Sequence, residues 1–429
     1  MKRVVITLLT LPLLVAALMP LIVGNAINNP EQLEQLRGQL GQPGMVLELE
    51  RGWFRTTGVV TVSDPFIGQR RHPGVRFTAA VNIQHGPLLW TDAGLTLGYA
   101  YGLAQPRLDG QVDDPIFNAL LSSATPPRVS VLAQLNRDIA LHWSNDTLYY
   151  EDPQQTLTAE NFDLQLSAAA DLAMDAQLHA DKVRGSSIVF GKLEADRPAL
   201  SVHSGKPEHA LLPASLQITL PRLHIDTAEQ LTLHGIRIDY AAHEEADTHK
   251  VSIRQQVQVE QIDSRAPLSA LHMDSRTQDI DIEVFRRLRA VLGNVRGSAP
   301  NELQDILLQL QQNPATQHTD ATLTLWGGEH RLALDLNWPG MPNLTSPEQL
   351  TASQVLRVLD ASMHLRANIE AVERSFVAIM ARNYAAQGML PTDNGDYVLD
   401  MTLQGGTLNV NGQSIVLDPF LNLLNQMNR

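Results

Sequence analysis

Residues 162–180 read FDLQLSAAADLAMDAQLHA. Phe162, Leu164, Leu166, Ala168, Ala170, Leu172, Met174, Ala176, Leu178 and Ala180 occupy every second position, with mostly polar residues between them from Asp163 to His179. A period of two is the spacing of side chains that share one face of a β-strand, whereas a helix brings neighbours together every three or four residues. The run is longer than an ordinary strand, so it is either a hairpin turning near Asp171 or one very long strand. Its alanines fall on the buried side, which implies a close-packed or narrow partner surface.

The same period recurs outward in both directions. Val75, Phe77, Ala79, Val81 and Ile83 alternate with polar or small residues, as do Ile236, Ile238 and Tyr240, and Leu332, Leu334, Leu336 and Trp338. One buried and one wet face per strand is the mark of antiparallel sheets. Gly and Pro punctuate the strands at Pro106, Pro126-Pro127, Gly185, Pro198, Gly205 and Pro213. Helical spacing enters mainly in the last third. It predicts helices over Val284–Val295, ended by Gly297; through Leu303, Ile306, Leu307 and Leu310, ended by Asn313-Pro314; from Ser346-Pro347-Glu348 through Leu359; and from Glu370 to Ala386, stopping at Gly388. The tail reads as hairpins turning at Gly405-Gly406 and at Asn411-Gly412, the latter a strong short hairpin signal. The fold class that follows is mainly β (α+β), an extended antiparallel sheet or sheets with several helices towards the C-terminus. Residues 29–213 and 214–429 form two β-rich parts, with a boundary near Pro213 or none at all.

Ahead of these lies an N-terminal segment of different character. Met1-Lys2-Arg3 precedes an uncharged run of 20 residues, Val4 to Val23. At about 1.5 Å per helical residue such a run spans roughly 30 Å, the thickness of a bilayer core. It reads as a membrane anchor within residues 1–28, with Lys2 and Arg3 retained in the cytoplasm, or as a signal peptide cleaved after Gly24-Asn25-Ala26. The apolar run exceeds the usual signal-peptide core, which favours the anchor, and either reading exports the chain. Asn29-Pro30-Glu31 then starts a short amphipathic helix carrying Leu33, Leu36 and Leu40.

Of 429 residues, 44% are hydrophobic and 18% charged, the composition of a chain that folds. A formal charge of −14 argues against nucleic acid or an anionic membrane surface as a partner held by bulk electrostatics. The chain has no cysteine, which removes disulfides, thiol chemistry and thiolate metal sites. Catalytic motifs are absent: there is no Gly-x-Ser-x-Gly, no His-Glu-x-x-His and no phosphate-binding loop. His243 and His249 flank Glu244, Glu245 and Asp247, and read as a charged loop between strands rather than a metal site. Asp279, Asp281 and Glu283 alternate with Ile280, Ile282 and Val284 and read as the wet face of a strand. No cofactor, metal or catalytic residue is expected.

Two spots carry aromatic or imidazole groups of interest. Arg51-Gly52-Trp53-Phe54 sits where a strand begins, either as a core plug or as a recognition surface near the membrane. His85-Gly86-Pro87 follows a strand ending at Ile83 and reads as a turn, with a functional His85 as the alternative. Together with the N-terminal segment, Gly395-Asp396-Tyr397, Gly406 and Leu408-Asn409-Val410-Asn411-Gly412, these motifs resemble the YdgA-like family of Gram-negative envelope proteins over the whole chain, in order. The sequence departs from that pattern at Arg55, which intervenes before Thr56 and Thr57. The resemblance implies a single-pass protein of the bacterial inner membrane, most of it periplasmic. It implies no catalytic residue.

The function expected on these grounds is non-enzymatic binding of apolar or envelope material, lipid among it, on a long β-sheet groove. The alternatives are an envelope scaffold that binds other proteins and, third, a periplasmic hydrolase. Trp53, Phe54 and His85 are the candidate recognition surface.

Overall fold

The structure is a computed structural model that describes residues 44–416, apart from 68–69, 111–125, 152–153, 172, 188–190, 206–213, 227–229, 246–247, 265–267, 294–299 and 348–350. The expected anchor over Val4–Val23, the helix expected from Asn29 and the position Pro213 lie outside the described residues. No described helix is long and apolar enough to cross a membrane. The chain divides into two compact units, Met1–Pro207 and Glu208–Arg429. Both are built mainly of antiparallel strands.

The first unit contains β1 (Met45–Arg51), β2 (Arg55–Ser63), the two-residue strands β3 (Phe66–Ile67) and β4 (Arg70–Arg71), β5 (Arg76–His85), β6 (Leu88–Thr91), β7 (Gly94–Asp109), β8 (Arg128–Gln134), β9 (Ile139–Glu151), β10 (Gln155–Ala168), β11 (Met174–His179), β12 (Lys182–Ser187), β13 (Gly191–Asp196) and β14 (Ala199–Ser204). The main ladder runs β1–β2–β5–β7–β8–β9–β10. The opening stretch is a hairpin: β10 and β11 pair from Asp163↔His179 to Ala168↔Met174, around a turn in which Asp171 Oδ1 accepts from the Ala173 amide at 3.3 Å. The first half of β10 pairs with β12. Because Glu160 faces Lys182 and Asp163 faces His179, the register carries through the break, and β11 with β12 acts as one bent strand. β14 and β13 repeat the bend beside them. At the bend, Asn161 and Arg197 take positive φ, and Asn161 Nδ2 donates to Asp181 Oδ2 at 2.6 Å.

The second unit contains β15 (Ser215–Asp226), β16 (Gln230–Glu245), β17 (Lys250–Val259), β18 (Gln261–Asp263), β19 (Leu268–Asp281), α1 (Ile282–Gly293), α2 (Pro300–Gln312), β20 (Ala315–Leu325), β21 (Gly328–Trp338), α3 (Ala352–Val358), β22 (Asp360–Asn368), α4 (Ile369–Glu373), α5 (Ala378–Ala386), β23 (Thr392–Asp393), β24 (Asp396–Gln404), β25 (Thr407–Val410) and β26 (Gln413–Val416). Its ladder is β15–β16–β17–β19–β20–β21–β22–β24–β25–β26. It uses the same bend: β17 and β18 are one strand broken at Glu260, opposite Gly235 at φ 60°. The two-residue turns at Gly405-Gly406 and Asn411-Gly412 all have positive φ, the conformation that suits a tight hairpin.

Several expected boundaries are corrected. Pro106 is buried inside β7, opposite Ala79. A missing N–H is tolerated there because, among the described residues, β7 pairs with β8 only as far as Ala104, leaving Pro106 on an edge segment. Gly185 likewise lies inside β12. The strand through Asp279 stops at Asp281, whose Oδ1 accepts from the Glu283 and Val284 amides at 2.9 and 3.1 Å and starts α1. The third helix begins at Ala352, where Thr351 and Gln354 form a reciprocal capping box. The helix expected over Glu370–Ala386 is broken in two. Ser375 bonds back through Oγ to the Val372 carbonyl at 2.6 Å and accepts from the Val377 amide, competing with the helical ladder.

Candidate functional site

Register decides what each face of these sheets carries. In the first unit, Leu164 on β10 faces Trp143 on β9 and Leu178 on β11, and Leu178 faces Leu200 on β14. On the other side, Trp143 faces Val129 on β8, Val129 faces Ala104 on β7, and Ala104 faces Val81 on β5. Directly opposed residues share a face. One apolar row therefore crosses the sheet from strand to strand, and most of its members are only half-buried. The opposite face is the more polar one: His142 meets Asp163, and His203 Nδ1 lies 2.7 Å from Asp175, while Tyr101, Leu103 and Leu132 share it on β7 and β8.

The second unit repeats this division. Ile238, Val257, Met273, Ala321, Leu332, Leu365, Leu399 and the strands beyond form a continuous apolar row. Its back is laced by ion pairs. Arg254 Nη2 donates to Asp274 at 2.6 Å, and Arg237 Nε to Asp239 at 2.6 Å, holding both carboxyls below the usual range. His318 lies between Asp335 (2.5 Å) and Asp320 (2.9 Å), whose hydrogen bonds raise its pKa.

Helices cover this apolar face at two places and leave the middle half-buried. α1 brings Ile282 and Phe285 onto Ala242 and Val251, with Tyr240 and Ile253 beside them. Val284 of α1 packs on Ile306 of α2, and Trp338 Nε1 donates to the Gln311 carbonyl at 3.0 Å. At the other place, α4 and α5 set Val372 and Ala381 on Tyr397 and Ala367. Beneath them lies a pocket of about 410 Å³, walled by Leu365, Leu399, Val410 and Ile415 from the sheet and by Val377 and Tyr384 from the helical segment. No charged side chain lines it.

A polar tie holds the two helices over that pocket. Arg382 of α5 donates to Glu373 of α4, through Nε at 2.6 Å and also through Nη2, and Tyr397 Oη donates to Glu373 Oε1 at 3.3 Å. The Arg382 bond holds the Glu373 carboxyl below its usual range. Burial, with the Glu373 charge beside it, pushes the Tyr397 phenol up. Outside the tie, Phe376, Ile379 and Met380 turn large apolar side chains to solvent, Phe376 stacking edge-on to Trp326 at 5.9 Å.

Trp53, Phe54 and His85 come together at one end of the first unit, in two different roles. Trp53 and Phe54 lie in the β1–β2 connection, 54% and 64% exposed, their rings 6.4 Å apart. His85, the last residue of β5, is 2% exposed. Its amide donates to the Phe54 carbonyl at 2.8 Å, and its Nδ1 lies 3.3 Å from the Trp53 carbonyl. A carbonyl only accepts, so Nδ1 carries a proton, and in the neutral ring Nε2 then accepts from the buried Thr56 hydroxyl at 3.0 Å. His85 thus positions the aromatic loop from beneath. The pocket under α4 and α5 has no counterpart among the sequence candidates. Its walls come from strands and helices between Leu365 and Ile415, and strand register together with the α4–α5 segment closes them around one space.

Residues 1–418 match the family model of a bacterial protein family of unknown function, DUF945. The chain belongs to this family. Comparison with curated proteins finds no match. In this DUF945 chain, the apolar faces and the α4–α5 pocket are the largest apolar features described above.

Proposed function

We propose that this chain is a membrane-tethered periplasmic protein that binds the acyl chains of lipid along its apolar sheet faces, with the α4–α5 pocket of the second unit receiving a chain end. On this reading it is a binding protein rather than an enzyme, and within DUF945 it stands with the YdgA-like envelope proteins it resembles. The observation that carries the proposal is the uninterrupted apolar row, half-exposed in the middle and closed at one place by a pocket with no charged lining.

Chemistry separates acyl lipid from peptide as the occupant. Backbone groups of the inner strands are committed to neighbouring strands, so the face offers methyl, methylene and aromatic groups with few hydrogen-bond partners. A peptide laid there would bury amides with nowhere to bond, at a cost of about 1–3 kcal/mol each. A hydrocarbon chain brings no such groups and contributes about 0.8 kcal/mol per buried methylene. The 20-residue apolar run Val4–Val23 supports a location beside a lipid source.

The test is photocrosslinking of the full chain, reconstituted in vesicles, with a phospholipid carrying a diazirine near the acyl terminus. Adducts are expected on peptides from β21, β22 and β24 and from α5. Labelling confined to the N-terminal segment would reject the sheet face as the lipid site.

A further inference from the structure

The hairpin of β6 and β7 is built inside out. Leu88 faces Leu97 and Trp90 faces Leu95, so these four side chains share one surface. Leu89, on the other surface, is fully buried. The buried surface faces the sheet, and Gln84 fastens the hairpin by bonding both the amide and the carbonyl of Trp90 at 2.9 Å. Arg128 holds its turn through Asp92 at 2.6 Å. The outward surface is therefore firmly held and wholly apolar, with Trp90 72% and Leu97 59% exposed. Isolated exposed apolar residues are ordinary, but four on one small hairpin make a patch that soluble surfaces avoid. The Trp53–Phe54 loop is tied close to the start of the hairpin, since the His85 amide donates to the Phe54 carbonyl two residues before Pro87.

We propose that this patch docks on the interface of a phospholipid bilayer. Three features favour that occupant over a protein. Tryptophan and aliphatic side chains, with no charge among them, form the mixture that settles at the headgroup–acyl boundary. Arg55, exposed next to Phe54, adds a cationic group beside the apolar anchors, as suits an anionic surface. The third is tethering. The chain leads back from Met45 to the apolar run ending at Val23, and residues 24–44 reach at most roughly 70 Å, so a membrane-held run keeps the hairpin near the surface. Docking shares the N-terminal tether with the proposed function but needs no lipid on the sheet faces. The two therefore fail separately.

The absence of cysteine permits a direct test. Full-length Leu97→Cys and Thr147→Cys, the second an exposed polar strand position, are labelled with an environment-sensitive fluorophore and reconstituted in phosphatidylethanolamine–phosphatidylglycerol vesicles. The label at position 97 should shift its emission to the blue and be quenched by lipids carrying a nitroxide near the headgroup, while the label at 147 does neither. Adding Trp90→Ser and Leu95→Ser to the Leu97→Cys chain should at least halve that quenching. Far-ultraviolet circular dichroism should stay unchanged, since both side chains point outward. A label at 97 as accessible to a water-soluble quencher as the one at 147 overturns the proposal. So does a label at 97 that is shielded only after envelope proteins are added, which would assign the patch to a protein partner.

Discussion

Thr56 and His85 form a buried hydroxyl–imidazole pair beneath an exposed aromatic loop. Thr56→Val removes the hydroxyl that pairs with His85 Nε2 in a buried position, at an expected cost of about 1–3 kcal/mol. Urea unfolding should show a lower midpoint with an unchanged slope. An unchanged midpoint would mean that the hydroxyl contributes nothing. On the polar face of the second unit, His318 has a carboxylate at each ring nitrogen, an arrangement that favours the protonated ring. Its pKa is raised by the bond to Asp335 first and then by that to Asp320, and Asp335 is lowered by His318. The raised histidine contributes stability that is full below its unfolded value near 6.5 and is lost as pH rises through the folded value. The lowered Asp335 contributes above its unfolded value near 3.9 and loses it as pH falls through the folded one. The pair is half-exposed, so its worth stays within about 1 kcal/mol. In Asp335→Asn the His318 resonance should titrate at lower pH by nuclear magnetic resonance. An unmoved titration would remove Asp335 as the main cause.

At the scale of elements, each unit bends its strands at a fixed line without losing register, and the bend in the second unit rests on Gly235. Its φ of 60° disfavours any side chain, and a Cβ there would meet the Glu260 carboxylate at 2.4 Å. Gly235→Ala is expected to cost about 1–2 kcal/mol, mostly from the left-handed backbone, since Glu260 can swing away. Gly185→Ala is the control: its φ is not positive, and a Cβ meets only the Thr156 carbonyl at 3.5 Å, an ordinary contact. That variant should be near neutral. Equal losses in the two would refute the argument. The period-two runs, the two glycine hairpin turns and the first two helices were legible in sequence because each rests on local spacing. What escaped depended on partners: Pro106 fits in a strand because no described strand pairs with it on its outer side, and the last long helix breaks because Ser375 bonds backward. Both outcomes turn on bonds that composition and period do not reveal.

At the scale of the whole molecule, each unit carries one ion-paired face and one apolar face. The alternation in sequence predicted two faces per strand, and left open whether the apolar one is an open groove or a filled core. The structure leaves much of it half-buried, because the helices of the second unit reach only two places on it. Trp53 and Phe54 stood out as rare aromatics beside a glycine. Leu365, Leu399, Val410 and Ile415 looked like ordinary strand residues, because only pairing across the sheet gathers them into a pocket. If hydrocarbon fills that pocket, shortening the acyl chain by two methylenes removes about 1.6 kcal/mol and should weaken binding roughly tenfold or somewhat more, measured by competition against a fluorescent fatty acid. Affinity independent of chain length would exclude the pocket as the site. The most direct measurement is native mass spectrometry of the full chain released from phospholipid vesicles. The account predicts discrete increments of one phospholipid mass, greatly reduced in a folded Leu399→Glu variant whose carboxylate enters the pocket. A chain that emerges bare, or increments that Leu399→Glu leaves untouched, would contradict it.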